Sequence, residues 1–138
     1  MVLLSECSPG CLRGCILANS ILWYDYETFN ADPSTGRIAQ FAAIRTDENL
    51  QPVGEPLEFY CKPCRDCLPD PQACLITGIT PQMAEARGLP EPEFAERVHQ
   101  AMSLPGTCIA GFNSIRFDDN YTRFLFYRNF FDAYAQEW

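Results

Sequence analysis

The sequence predicts an α/β domain, a mixed β-sheet flanked by helices, and three observations point there. Strand-like runs separated by turn clusters fill the first half, a segment with apolar residues at helical spacing follows, and a short apolar run then leads into a stretch that opens on acids. The order β, β, β, α, β, α implies helices packed on a mixed sheet. With 138 residues, 47% hydrophobic and 13% aromatic, the chain carries enough apolar material for one core of ordinary domain size.

Residues 1–18, beginning MVLLSECSPGCLRGC, show no helical or strand period and are set apart as an N-terminal extension expected to be poorly ordered, which leaves 19–138 as the folded portion. From Ile21 the chain turns strand-like, with Leu22, Trp23 and Tyr24 leading into alternating acids and aromatics. The cluster from Asn30 to Gly36, NADPSTG, ends that run as a turn. A second strand covers Ile38 to Thr46, Asp47-Glu48-Asn49 turns the chain again, and Glu55 to Cys61 completes an antiparallel meander. From Pro63 through Pro71 and on into ACLITGIT the pattern is irregular and proline-rich. Thr80 as N-cap and Pro81 in the first turn then open a short helix through Arg87. Pro92 starts another, in which Phe94, Val98, Ala101 and Met102 recur at helical spacing opposite Glu93, Glu96, Arg97 and Gln100. After Pro105-Gly106, Thr107 to Phe112 is of strand length, and from Asp118 onward Tyr121, Phe124, Leu125 and Arg128 fall at three- and four-residue steps. Leu125, Phe126 and Phe130 are the expected core residues of that last helix.

A net charge of -8 argues against broad, nonspecific adhesion to nucleic acid or acidic membranes, while leaving room for a local site. No apolar run reaches the roughly 18 to 20 residues that cross a bilayer, and the N-terminus has no basic segment ahead of an apolar block, so no membrane partner and a cytoplasmic location are expected. Eight cysteines are many for such a setting. Cys7, Cys11 and Cys15 fall four apart, and Cys61, Cys64 and Cys67 form C-x-x-C-x-x-C, with Cys74 seven positions on. A bacterial ferredoxin run would place its fourth cysteine differently and follow it with proline. The two readings that stand are a four-thiolate zinc or cluster module and reduced thiols in a turn-rich loop.

The stretch WYDYETF holds two carboxylates, Asp25 and Glu27, two positions apart on a strand and therefore on one face of the sheet, with Trp23 beside them and Tyr24 and Tyr26 on the other face. Like charges so close favour a cation or the protonation of one acid, and hard oxygen ligands suit magnesium or manganese; on this motif alone, one acid capping the strand end or pairing with an arginine is the plainer reading. Asp118 follows the strand-turn segment GFNSIRFD at the start of a helix, where the helix dipole favours a carboxylate. It can converge with the strand pair on a two-metal site, or Asp118 and Asp119 can serve as plain helix caps.

The strings DYET and NSIRFD resemble the first two motifs of the DEDD superfamily of 3′ to 5′ exonucleases. The longer strings AQFAAIRTD, EFYCKP, LITGITPQ and RFDDNYTRFLFYRNFFDAYA are similar in order and spacing to its exodeoxyribonuclease I branch, over about Ile21 to Trp138. The resemblance implies a ribonuclease H-like fold, incomplete at its C-terminus, and makes Asp25, Glu27 and Asp118 catalytic metal ligands for two Mg²⁺ ions, with Mn²⁺ as a substitute. Asn113 and Phe117 would shape the second motif. The implied reaction is hydrolysis of single-stranded DNA from its 3′ end, releasing 5′-mononucleotides, and single-stranded DNA-binding protein is an implied partner.

The family's third motif, a histidine general base and a further aspartate, has no counterpart: the only histidine, His99, lies on the EFAERVHQAMSL helix and is expected to be structural. A fragment or truncated form with little activity alone is therefore expected. Substrate contacts are expected from Glu27, from Thr77, Gly78 and Ile79 in the TGIT segment, and from Arg123, Tyr134 and Trp138, which combine a phosphate-binding cation with rings suited to base stacking. An RNA-directed relative of the oligoribonuclease kind and a non-catalytic cysteine-rich metal module are the competing functions.

Overall fold

Alternation along the first strand, β1 (Ser20–Thr28), decides which side of the sheet becomes the core. In this computed structural model, which describes residues 19–137, Leu22, Tyr24 and Tyr26 are buried while Trp23 between them is 42% exposed. β1 pairs antiparallel with β2 (Ile38–Thr46), which pairs antiparallel with β3 (Leu57–Tyr60). Three helices follow, α1 (Pro71–Thr77), α2 (Pro81–Arg87) and α3 (Glu91–Met102), before β4 (Thr107–Ala110) returns parallel to β1. The sheet order is β3-β2-β1-β4, and α4 (Asp118–Arg128) comes after a 3-10 turn at Ser114–Arg116. This is the mixed α/β architecture read from the sequence.

The core lies between one sheet face and the pair α3 and α4. Phe94, Ala95, Val98, Ala101 and Met102 supply the buried stripe of α3, and Tyr121, Leu125 and Phe126 that of α4. A chain of rings joins the layers, with Phe41 and Phe59 at 5.3 Å and Phe59 and Phe94 at 5.2 Å between centroids. Each fully buried ring of this size contributes about 2 to 3 kcal/mol by area. A smaller cluster of Phe29, Ala39, Ile79 and Ala84 packs α2 against the far end of β1.

Four details differ from the sequence reading. The third strand is shorter than Glu55 to Cys61, because Cys61 leaves the ladder for an isolated bridge to Leu89. The fourth ends at Ala110 rather than Phe112, which is 96% exposed. The proline-rich middle contains α1, N-capped by the Asp70 side chain, with Pro71 in its first turn and Gly78 at φ 72° after its last. No side chain of α1 is buried, so it carries no apolar period to read. Phe130, expected in the core, takes a positive φ of 63° just past α4 and is 99% exposed, and the chain's turn there brings Phe131 against the core instead. The N-terminal extension, including Cys7, Cys11 and Cys15, lies outside the described residues, as does Trp138.

Candidate active site

The site arises where β4 stops accompanying β1. Their parallel register runs only from Ser20↔Thr107 to Trp23↔Ala110, so among the described residues that edge of β1 has no neighbouring strand beyond Trp23. Gly111 allows the departure: a Cβ there would stand 2.8 Å from the Tyr24 carbonyl oxygen and 3.0 Å from the Ser114 Cβ. Asn113 follows in the left-handed region at φ 56°, and Phe117, packed on Tyr121 at 5.0 Å between rings, leads into α4. The first turn of α4 thereby fills the vacated edge. The Tyr26 amide donates to Asp118 Oδ1 at 3.1 Å, so a carboxylate takes the donor that a strand would otherwise have used.

Asp25 and Glu27 point from the same strand to the face opposite the tyrosines, Asp25 exposed and Glu27 half-buried. Glu27 sits at a bulge, where the pairing with β2 shifts between Glu27 and Thr28. Asp118 is 2% exposed. Its burial, reinforced by the negative charges of Asp25 and Asp119, pushes its carboxyl up to about 6 despite the Tyr26 amide, which works the other way. Burial and then Asp25 likewise raise Glu27. The charge of Asp25 thus makes both Glu27 and Asp118 harder to ionise, in addition to their burial.

Such a set suits a hard divalent cation in donor type, because carboxylate oxygens are its preferred ligands and a cation offsets the repulsion that adds to burial at Glu27 and Asp118. In the conformation described the acids do not close into a coordination group, and among the described residues no three His, Cys, Asp or Glu side chains do so. Neither Asp118 nor Asp119 serves as the helix cap. The N-cap position is Phe117, without a side-chain cap bond, and both carboxylates reach back to β1.

The other expected site residues separate into groups. Arg123 lies over the Tyr134 ring, 5.4 Å from its centroid, and donates to Asn120 Oδ1 at 3.1 Å. With Phe124 and Tyr127 they line an open groove of about 520 Å³ along α4. Arg123 also borders a second hollow with Gly111, Ser114 and Asp119, so the groove continues toward the acids. Thr77, Gly78 and Ile79 form the end of α1 and its exit. Gly78 is needed for its positive φ, with open space around the missing Cβ, and the Ile79 side chain is buried, so it contributes structure while its amide is taken by Thr77 Oγ1 at 3.1 Å. His99 stacks on Phe131 at 4.5 Å and 15° and meets Phe126 edge-on.

The thiols have separate employments. Cys61 is buried in the main core, and Cys67 contacts Asn30 Oδ1 at 3.1 Å. Cys74 packs against the smaller cluster. No four-thiolate centre is formed among the described residues. What the sequence alone did not disclose is the link between Tyr24 and Asp119, whose hydroxyl and carboxylate meet at 2.6 Å across 95 positions. No local pattern pairs these two residues, one on a strand and the other at the start of a helix.

The Exonuclease family model (RNase_T) matches residues 22–137. Exodeoxyribonuclease I of Escherichia coli is 56% identical over 120 residues, 87% of this chain and 25% of that protein. Among solved structures, a moderately thermophilic Exonuclease I from Methylocaldum szegediense superposes with a TM-score of 0.86 at 62% identity, covering 88% of this chain and 26% of the other. E. coli Exonuclease I in complex with a dT13 oligonucleotide gives 0.85 at 56% identity, over 87% and 26% of the two chains. An ExoI/SSB-Ct complex gives 0.86 at 55%, over 88% and 26%. The chain spans about a quarter of the length of these relatives.

Proposed function

The chain belongs to the Exonuclease family, and from that premise we propose that it carries the first part of the catalytic centre of a 3′ to 5′ exonuclease acting on single-stranded DNA and releasing 5′-mononucleotides. The observation that carries the reading is the meeting of Asp118 with the backbone of β1 beside Asp25, which assembles acids 93 positions apart at one sheet edge. Asp25, Glu27 and Asp118 would hold two Mg²⁺ ions, for which Mn²⁺ can substitute. When bound, such ions supply activation of the attacking water and stabilisation of the departing 3′ oxygen.

The residues of the chain itself do the rest. Asp118, buried at the strand edge, fixes the position of the acid cluster, and Glu27 and Asp25 present oxygens on the open face of the sheet. Arg123 supplies a cation to the phosphate backbone, and Tyr134, held beneath the guanidinium, offers its ring to a base. Thr77 and the Gly78 backbone border the approach from α1. A single-stranded DNA-binding protein is the expected protein partner, supported by the complex in which a related ExoI was solved with SSB-Ct. DNA is preferred over RNA as substrate on the ground that a similar enzyme was solved on a dT13 oligonucleotide.

The edge of β1 carries Asp25, Glu27 and, through the Tyr26 amide, Asp118, while His99 is engaged with Phe131. By itself the chain is therefore expected to hydrolyse DNA slowly or not at all. A chimera in which residues 19–137 replace the matching segment of E. coli exodeoxyribonuclease I tests the assignment. It is expected to digest 3′-labelled single-stranded DNA with Mg²⁺ and to ignore a short RNA. Asp25→Ala is expected to slow it at least about a hundredfold, the loss of charge stabilisation worth several kcal/mol. Undiminished activity of that variant would show the metal assignment to be wrong.

A further inference from the structure

α4 starts without the usual means of holding a helix end. Its N-cap is Phe117, no side chain caps the first amides, and the first turn carries two adjacent acids. Orientation of this end has to come from elsewhere, and β1 provides it. The Tyr24 hydroxyl donates to Asp119 Oδ1 at 2.6 Å, the Tyr26 hydroxyl meets Thr122 Oγ1 at 3.0 Å, and the Tyr26 amide donates to Asp118 Oδ1 at 3.1 Å. Thr122 in turn donates to the Asp118 carbonyl at 3.1 Å, closing the set.

These bonds differ in what they can hold. The amide fixes one oxygen of Asp118 but leaves the helix free to turn about that point. The Tyr26–Thr122 contact joins two neutral hydroxyls one turn further on. Tyr24–Asp119 is short and charge-assisted, and it engages the residue next to Asp118, so it sets the rotation of the first turn. Tyr24 is 4% exposed, its ring edge-on to Tyr26 at 5.4 Å, and it has little freedom to follow a moving helix. Burial first, with Tyr26 and the nearby acids, drives its hydroxyl above the ordinary phenol range, so it remains a donor.

We propose that Tyr24 and Asp119 are a positioning pair for the cation site, holding the first turn of α4 so that Asp118 stands at the β1 edge beside Asp25. The pair acts through the placement of Asp118 and not as ligands of the cation. β1 thus serves the site with both faces, its outward acids as ligands and its inward tyrosines as the support of the third. The inference rests on the proposed reading of Asp25, Glu27 and Asp118 as metal ligands.

Mn²⁺ titration of the 138-residue chain, read by electron paramagnetic resonance of the free ion, tests it without any turnover. Tyr24→Phe keeps the ring and removes the hydroxyl, and is expected to weaken Mn²⁺ binding about tenfold, the scale of one hydrogen bond to a charged group. Asp119→Ala, made from the helix side, is expected to match it, and Asp119→Asn, which retains an acceptor oxygen, to stay within about threefold of the parent. Wild-type affinity in Tyr24→Phe overturns the pairing, and so does an Asp119→Asn as weak as Asp119→Ala, which would assign the effect to charge alone. Asp25→Asn separates the two levels: if it binds Mn²⁺ like the parent, the metal reading itself fails, whereas loss there with no change in Tyr24→Phe sinks only the positioning role.

Discussion

On the proposed reading, Arg123 and Tyr134, 11 apart in sequence, would divide the task of holding a single strand. The guanidinium lies over the ring at 5.4 Å, with Asn120 holding one of its nitrogens, so the cation faces the groove already oriented. A cation on a phosphate and a ring on a base leave different signatures. Neutralising one phosphate of a single strand changes the salt dependence of log K by about 0.7, whereas a stacked ring contributes roughly 1 to 3 kcal/mol with little salt dependence. In the chimera held in EDTA, Arg123→Ala is expected to weaken oligonucleotide binding and flatten the salt slope by about 0.7. Tyr134→Ala is expected to weaken it by about tenfold with the slope unchanged. Fluorescence anisotropy at several salt concentrations reads both, and an unchanged slope in Arg123→Ala would remove that residue from the phosphate path.

At the scale of elements, the two helices that cover the core are tied at one carboxylate. Glu91, at the start of α3, takes Arg128 from the end of α4 at 3.1 Å, Asn129 at 3.3 Å and Arg37, next to β2, at 3.5 Å. Arg37 reaches on to Asp66 at 2.7 Å, which straps the loop before α1 to the sheet. Their side chains are only 10 to 21% exposed around Glu91, so removing the carboxylate takes away the anion that pairs with Arg128 and leaves Arg37 to Asp66. Glu91→Ala is expected to cost about 3 kcal/mol in urea unfolding, and a loss under about 0.5 kcal/mol would class the network with inert surface pairs. Nothing in the sequence marks Glu91, because its partners lie 37 and 54 positions away. The strands were legible for the opposite reason: a period of two is local, and Leu22, Tyr24 and Tyr26 against Trp23, Asp25 and Glu27 display it within one turn-to-turn run. α3 was legible through Phe94, Val98, Ala101 and Met102. α1 was not, because none of its side chains is fully buried and its only signals were Asp70, Pro71 and Gly78 at its ends. The acid pair could be read from alternation; the approach of Asp118 could be raised from its place at a strand-to-helix junction, but only the resemblance chose it over a helix cap, since no local rule brings residue 118 to residue 26.

The whole molecule carries a net charge of -8, and the edge of β1 gathers three of its acids against that background. The consequence is a stability that should depend on pH and cation together. The Asp118 carboxyl titrates at about 6 in the fold against an ordinary 3.8, so the folded state binds its proton more tightly than the unfolded chain does. Stability from this group is therefore fully present below about 3.8 and is lost as pH rises toward and through about 6. Glu27, raised in the same direction, adds to the fall. Asp32, whose carboxyl is lowered by the Ser34 hydroxyl and amide, works the other way, so the total curve is not the measure. The difference between the parent and Asp118→Asn isolates the term. Without divalent cation, the variant's urea midpoint is expected to equal or exceed the parent's at pH 7, and its advantage to shrink as pH falls through about 6 and to be gone below about 3.8. Saturating Mn²⁺ is expected to raise the parent at pH 7, by about 2.7 kcal/mol at a hundredfold excess over Kd, and to leave the variant nearly unmoved. A parent that stays flat between pH 4 and 7 relative to the variant, with equal Mn²⁺ gains in both, would mean that Asp118 is neither strained by its neighbours nor relieved by a metal.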